Sequence, residues 1–322
     1  MLHPLIDSLT RIVLHGGQLT EAQALELASL DSEHTVQLLF AANAIAKAFG
    51  HKAFTCSIIN AKSGRCSEDC SFCAQSGRYA TNSPVHPLLP LDQLIDQGLA
   101  MGRAGTFCYS LVTSGLMLSS DEIDRICQCV SYLRQHTNLS LSASLGLLTP
   151  DYAKRLAQAG LTRYHHNLET ARSHFPRICT THAYEKDVET LQVAREHGLF
   201  LCCGGILGLG ESFEQRVEFA FTLAGLGVDT VPLNFLNPIP GTPLENMPLL
   251  SPHDALKSVA LFRVLLPRAR ITIAGGRERV LGDYQSWLAL AGANGLMIGN
   301  YLTTRGRSLD SDLRMLEQGQ WI

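Results

Sequence analysis

The sequence predicts an α/β protein built as a (β/α)8 barrel of the TIM type, with an N-terminal helical extension. Three observations lead there. From residue 53 onward, short apolar strands alternate with amphipathic helices in eight units of about thirty residues. A doubly wound open sheet is the runner-up fold, but no Gly-x-Gly-x-x-Gly follows an early strand, so a dinucleotide site is not supported. A cysteine-rich loop follows the first strand, at the strand end where barrels of this kind carry their chemistry.

Taken in order, residues 4–49 read as helices. Thr20-Glu21-Ala22-Gln23 has the form of a capping box, and Asp31 to Phe49 shows an apolar face made by Val36, Leu39, Phe40, Ala44 and Ala48, with Gly50 as its stop. The strands are expected at Phe54–Ile59, Thr106–Val112, Leu139–Leu145, Arg163–Leu168, Phe200–Leu207, Thr230–Phe235, Arg270–Ala274 and Gly295–Ile298. Helices are expected near 91–102, 120–136, 150–159, 184–197, 212–225, 252–266 and 283–291. The chain divides accordingly into an extension (1–50), the barrel (51–305) and a peripheral tail (306–322).

In Leu139-Ser-Leu-Ser-Ala-Ser-Leu145, side chains alternate between faces. The apolar face should meet the helices, so Ser140, Ser142 and Ser144 should point inward. A polar lumen departs from the packed apolar interior usual in such barrels and predicts a ligand cavity.

Composition sets the outer bounds. The chain has 322 residues, 46% hydrophobic and 17% charged, with a net charge of −3 and no strong basic run. A sizeable core is available, and neither nucleic acid nor a membrane surface is the expected partner. Met1-Leu-His-Pro-Leu5 lacks the features of a signal peptide, and no apolar run reaches membrane-spanning length. The ten cysteines are therefore expected as reduced thiols or metal ligands in the cytoplasm.

The loop Cys66-Ser-Glu-Asp-Cys70-Ser-Phe72-Cys73 is flanked by Ser63-Gly64-Arg65 and Ser76-Gly77-Arg78, which count against a helix that would bury the three thiols on one face. Structural zinc would want a second cysteine pair, and no second Cys-x-x-Cys occurs. Three sulfurs suit a four-iron cubane with one iron left open to a substrate or co-substrate.

This pattern resembles the signature of radical S-adenosylmethionine (SAM) enzymes, and the run from Asn60 to Ser76 resembles that of biotin synthases in particular. Similarity extends from about Phe54 to Thr304. The resemblance implies sulfur insertion into dethiobiotin by 5′-deoxyadenosyl radical chemistry, with reducing flavodoxin or ferredoxin as electron donor and a homodimeric assembly. Two alternatives are a related radical enzyme of the hydrogenase-maturation or methylornithine branch and a non-enzymatic iron–sulfur electron carrier.

The resemblance also implies site residues. Tyr164-His-His-Asn-Leu-Glu-Thr170 resembles a family run that gives Glu169 to the ribose of SAM and Asn167 to ribose and substrate. Ile206, in the glycine-rich run Gly204–Gly210, matches the adenine-packing position, with Phe72 beside it. Glycines there would let backbone approach a flat ligand. Asn234 matches the holder of the ureido ring, Asn237 lies in the same run toward the cofactor, and Thr303 and Thr304 match the carboxylate end.

Biotin synthases resemble one another in a second, auxiliary iron–sulfur site held by cysteines on strands two, three and five and an arginine on strand seven. Cys108 and Cys202 match, but Ser142 and Thr272 stand at the other two positions, and Cys56 stands where serine is usual. The expectation is a rearranged site on Cys56, Cys108 and Cys202 around a four-iron cluster, not the two-iron form. Cys203 should face the helices, and Cys127, Cys129 and Cys179 are read as structural. Asp187 replaces the arginine expected to take the SAM carboxylate, with Lys186 adjacent.

Overall fold

The computed structural model describes residues 2–49, 52–304, 306–319 and 321; Gly50, expected to stop the third helix, lies outside them. The extension forms α1 (Pro4–Leu14), α2 (Glu21–Ala28) and α3 (Thr35–Ala48). Thr20 and Gln23 make the expected reciprocal cap, with Thr20 N donating to Gln23 Oε1 at 2.9 Å and Gln23 N donating to Thr20 Oγ1 at 3.3 Å.

The barrel strands are β1 (Phe54–Lys62), β2 (Cys108–Thr113), β3 (Ser140–Ser144), β4 (Arg163–His165), β5 (Phe200–Cys202), β6 (Gly205–Leu207), β7 (Thr230–Phe235), β8 (Arg270–Ile273) and β9 (Gly295–Met297). Between them lie α4 (Leu91–Arg103), α5 (Ser120–His136), α6 (Pro150–Ala159), α7 (Tyr184–Glu196), α8 (Phe213–Gly225), α9 (Pro252–Leu265) and α10 (Arg277–Leu281), followed at the end by α11 (Leu309–Gln318). All pairings between the named strands are parallel. The order runs β5-β4-β3-β2-β1-β9-β8-β7-β6, and β5 also pairs β7, which closes the barrel.

The fifth barrel strand is expected as one run but is divided into β5 and β6, and the cause is close backbone approach. A Cβ on Gly204 would lie 1.9 Å from the Pro232 carbonyl oxygen, and one on Gly205 would lie 2.2 Å from that of Glu169. Gly204 and Gly205 thus admit neighbouring protein backbone. The helix expected at 283–291 is replaced by α10 and a 3-10 turn over Gly282–Leu288. Gly282 has φ +49°, a left-handed conformation that ends α10 early.

α9 is buried along its length because the barrel covers one side and α3 the other. The segment after Gly306, expected to be peripheral, docks through α11: Asp312, fully buried, accepts from Arg277 Nη2 at 2.8 Å, and Leu316 and Trp321 join the core. Among the described residues, no helix is long and apolar enough to cross a membrane.

Candidate active site

Strand alternation makes the lumen. Cys56, Cys108, Ser142, Arg163, His165, Cys202, Thr230 and Thr272 line a central cavity of about 270 Å³, while Leu141 and Ala143 turn into the core between barrel and helices. Cys203 sits in that outer core, as expected of the neighbour of an inward residue. Ser140 lines a separate cavity at the N-terminal end of the barrel.

At the C-terminal mouth, the loop after β1 folds back on itself. Cys66 N donates to Gln75 O at 3.0 Å, Gly77 N to Cys66 O at 2.8 Å, and Cys73 N to Cys70 O at 2.9 Å. Gly64 (φ +79°) and Arg65 (φ +52°) make the turn that starts it. The loop is irregular; Cys73 lines the cavity mouth, and Cys66 and Cys70 lie near enough for their charges to be felt there. Burial pushes the Cys73 thiol up to about 11. The Cys70 thiol is raised too, first because it donates to Cys179 and then by burial. Thiols so disposed become thiolates only with a cation to stabilise them, and three soft donors fit an iron–sulfur cubane.

Cys179, expected to be structural, is buried in the core and lies against Cys70. Its thiol is held down to about 4, first by that contact and then by His182, whose Nδ1 is 3.4 Å away, and by Thr181. His182 also bonds Glu68 Oε2 at 2.7 Å and Asp187 Oδ2 at 3.2 Å, and Asp187 Oδ1 meets His166 Nε2 at 2.8 Å. Asp187 is thus a buried partner of two histidines. Lys186 is exposed and reaches Glu189 at 3.0 Å, so it does not replace the arginine that the resemblance led one to expect. Asp187, with Lys186 turned away, leaves this corner without that basic residue.

Asn167 and Glu169 stand where β4 gives way to its loop. Glu169 takes φ +63°, and its carboxyl receives the Asn167 Nδ2 at 3.3 Å while Asn167 Oδ1 accepts from Gly204 N at 3.1 Å. Burial pushes Glu169 up to about 8, against the Asn167 bond. Phe72 and Ile206 pack in one small apolar cluster with Leu236 and both line the cavity.

Across the mouth, Asn234 lines the cavity with its amide already engaged: Nδ2 donates to Gly205 O at 3.2 Å and Oδ1 accepts from Gly275 N at 2.9 Å. Asn237 accepts from Arg279 Nη1 at 2.6 Å. Thr303 and Thr304 close the rim, held by Tyr301 N donating to Thr304 O at 3.1 Å.

The foot of the cavity gathers the other three thiols. Cys56 and Cys108 are register partners on adjacent strands, and the Cys202 Sγ is 3.3 Å from His165 Nδ1. Cys108 is held below its ordinary value, first by accepting from Cys56 and then by Arg163. Cys56 is correspondingly raised, and burial pushes Cys202 up to about 12. Arg163 points among them, with Nη1 3.8 Å from Cys108 Sγ. Its Nε, the Thr230 hydroxyl and the Thr272 hydroxyl are buried with no hydrogen-bond partner among the described residues. Three thiols, a guanidinium and orphaned donors around one space fit an anionic iron–sulfur cluster.

Arg163 and His165 were missed in the sequence, although the alternation that turns Ser142 inward also aligns Arg163, His165 and Asn167 on one face. Cys179 was missed because its proximity to Cys70 arises only through tertiary folding.

Known proteins bear on this arrangement. Residues 61–223 match the radical SAM superfamily, and residues 232–321 match the Biotin and Thiamin Synthesis associated domain. A biotin synthase of Geotalea uraniireducens (strain Rf4) is 51% identical over 314 residues, covering 97% of this chain and 95% of that protein. One of Oleidesulfovibrio alaskensis (strain ATCC BAA-1058 / DSM 17464 / G20) is 52% identical over 297 residues, covering 92% of each. The crystal structure of methylornithine synthase superposes with a TM-score of 0.84 at 21% identity, covering 96% of this chain and 95% of that one, which shows the shared fold.

Proposed function

The chain belongs to the biotin synthase family of radical SAM enzymes, and from that premise we propose which of its residues serve the insertion of sulfur into dethiobiotin. The observation that carries the reading is the single cavity lined by Phe72 and Cys73 at its mouth and by Cys56, Cys108 and Cys202 at its foot. A substrate between the two ends would face both sets of sulfurs.

Cys66, Cys70 and Cys73 would hold a four-iron cluster with one open iron, and Cys56, Cys108 and Cys202 an auxiliary four-iron cluster. When bound, these clusters and SAM supply the electron, the 5′-deoxyadenosyl radical and the inserted sulfur. Acid–base residues alone do not suffice, because the carbons concerned are too weakly acidic for a general base.

The chain's residues bind and orient. Phe72 and Ile206 pack the adenine, and the Glu169 carboxyl group accepts from the ribose hydroxyls, with Asn167 between ribose and substrate. Asn234 holds the ureido ring and Thr303 and Thr304 meet the substrate carboxylate. Asn237 contributes on the co-substrate side. A reduced flavodoxin or ferredoxin is the electron donor and a homodimer the assembly, both supported by family resemblance.

The test is anaerobic turnover of reconstituted protein with SAM, reductant and dethiobiotin deuterated at the reacting carbons. Biotin with deuterium in 5′-deoxyadenosine is expected. SAM cleavage without biotin would contradict the reading.

A further inference from the structure

The N-terminal end of a barrel is ordinarily closed by packed side chains. Here it opens into a second cavity of about 760 Å³, with the loop Gly16–Leu19 at its edge. Arg163 and Thr230 line both this cavity and the thiol-lined lumen above it, so these two buried residues form the partition between the two spaces.

The charge at this end is one-sided. Arg268 and Arg270 line the lower cavity with Arg163, against one lining carboxylate, Asp229, whose Oδ2 already accepts from Leu201 N at 2.8 Å. The Arg270 guanidinium lies over the rings of Phe54 and Phe107, 5.1 and 5.4 Å from their centroids. Arg163 is only 7% exposed, and its Nε has no partner among the described residues. The Thr230 hydroxyl beside it is likewise unpaired. A buried cation and hydroxyl left without acceptors are costly unless an anion is received there.

The auxiliary site gives the opening a use. Every product molecule that takes a sulfur leaves that site one sulfur short. Hydrosulfide is a small anion already at the oxidation level of sulfide, so its arrival needs neither oxidant nor reductant.

We propose that the N-terminal end of the barrel is a port for hydrosulfide, steered inward by Arg268 and Arg270 and received by Arg163 and Thr230 beneath Cys56, Cys108 and Cys202. Passage is a binding step in which no bond to the protein forms or breaks. The proposal rests on the reading that the three cysteines hold an auxiliary cluster. Its distinctive consequence is that sulfur enters while SAM and dethiobiotin occupy the other end.

The experiment uses anaerobically reconstituted holoprotein that has completed one turnover and then been freed of reductant, adds 35S-labelled sulfide, and counts label in acid-labile sulfur. With saturating SAM and dethiobiotin, label should still enter the wild-type protein. Arg270→Glu should slow entry about tenfold, and Arg270→Lys should stay within about twofold, as expected for steering by charge. Arg268→Glu is a second variant that should slow entry in the same sense. Exclusion of label by the two bound substrates, or an Arg270→Glu protein that takes it at the wild-type rate, would overturn the port. If protein lacking Cys66, Cys70 and Cys73 holds no acid-labile sulfide, the auxiliary-cluster reading fails and the port fails with it.

Discussion

Two buried arginines on opposite sides of the barrel wall show how differently the same side chain is treated. Arg263, on α9, is 0% exposed and fully engaged. Its Nε donates to Gly292 O at 2.8 Å, Nη1 to Pro267 O and Ala269 O at 3.0 and 2.8 Å, and Nη2 to Asn294 Oδ1 at 3.0 Å. It ties down carbonyls of the segment that follows α9 and of Gly292. Arg163, on β4, is almost as buried, yet among the described residues it has one long contact to a thiol and an Nε with no partner. Burial favours losing its proton, but Cys202, Cys108 and Cys56 together hold its pKa above the ordinary value. The first arginine completes the fold. The second keeps a donor that the fold leaves unmet among the described residues.

Substitution of each side chain by methionine separates the two roles. Arg263→Met strands several buried carbonyls and should cost about 3–5 kcal/mol in urea unfolding. Arg163→Met, in protein without clusters, should cost nothing or gain about 1 kcal/mol, because a poorly paired buried charge is removed. Equal losses would end the distinction. With clusters reconstituted, Arg163→Met should lower the auxiliary reduction potential relative to wild type, read by redox titration followed by EPR.

His182 tests a satisfied polar group of another kind. Asp187 first, then Cys179 and Glu68, raise its pKa to about 11. A raised histidine pKa contributes stability fully present below its unfolded value, about 6.5, and lost as pH rises through the folded value. The thermal stability gap between wild-type apoprotein and His182→Gln should therefore be widest near pH 6 and close progressively toward pH 11. A gap that widens over that range would contradict the ion-pair reading.

The smallest effect is expected at Thr272, whose buried hydroxyl has no partner among the described residues. Thr272→Val keeps the shape and should leave the apoprotein unchanged or up to about 1 kcal/mol more stable in thermal unfolding. A clear loss of stability would show that the hydroxyl is already bonded.

The barrel was legible because alternation and capping are local signals: the Thr20–Gln23 box, the α5 and α6 boundaries and the inward Ser142 all follow from neighbouring residues. The cysteine loop was legible for the same reason, since its three thiols and turn residues lie within one short run. The divided fifth strand was not, because the close approach to Pro232 and Glu169 joins residues distant in sequence. Nor was the Cys179–His182–Asp187 cluster, which forms only when the segment before α7 packs on the cysteine loop. Arg163 was within reach of the alternation rule, but a lone arginine beginning a short strand carries no signal of what surrounds it.

The most direct test is the iron and acid-labile sulfide content, with Mössbauer spectra, of anaerobically reconstituted protein carrying Cys66→Ala, Cys70→Ala and Cys73→Ala together. Retention of one four-iron cluster, abolished when Cys56→Ala is added, is the predicted result. Protein that retains no iron, or that keeps it undiminished without Cys56, would contradict an auxiliary centre on Cys56, Cys108 and Cys202.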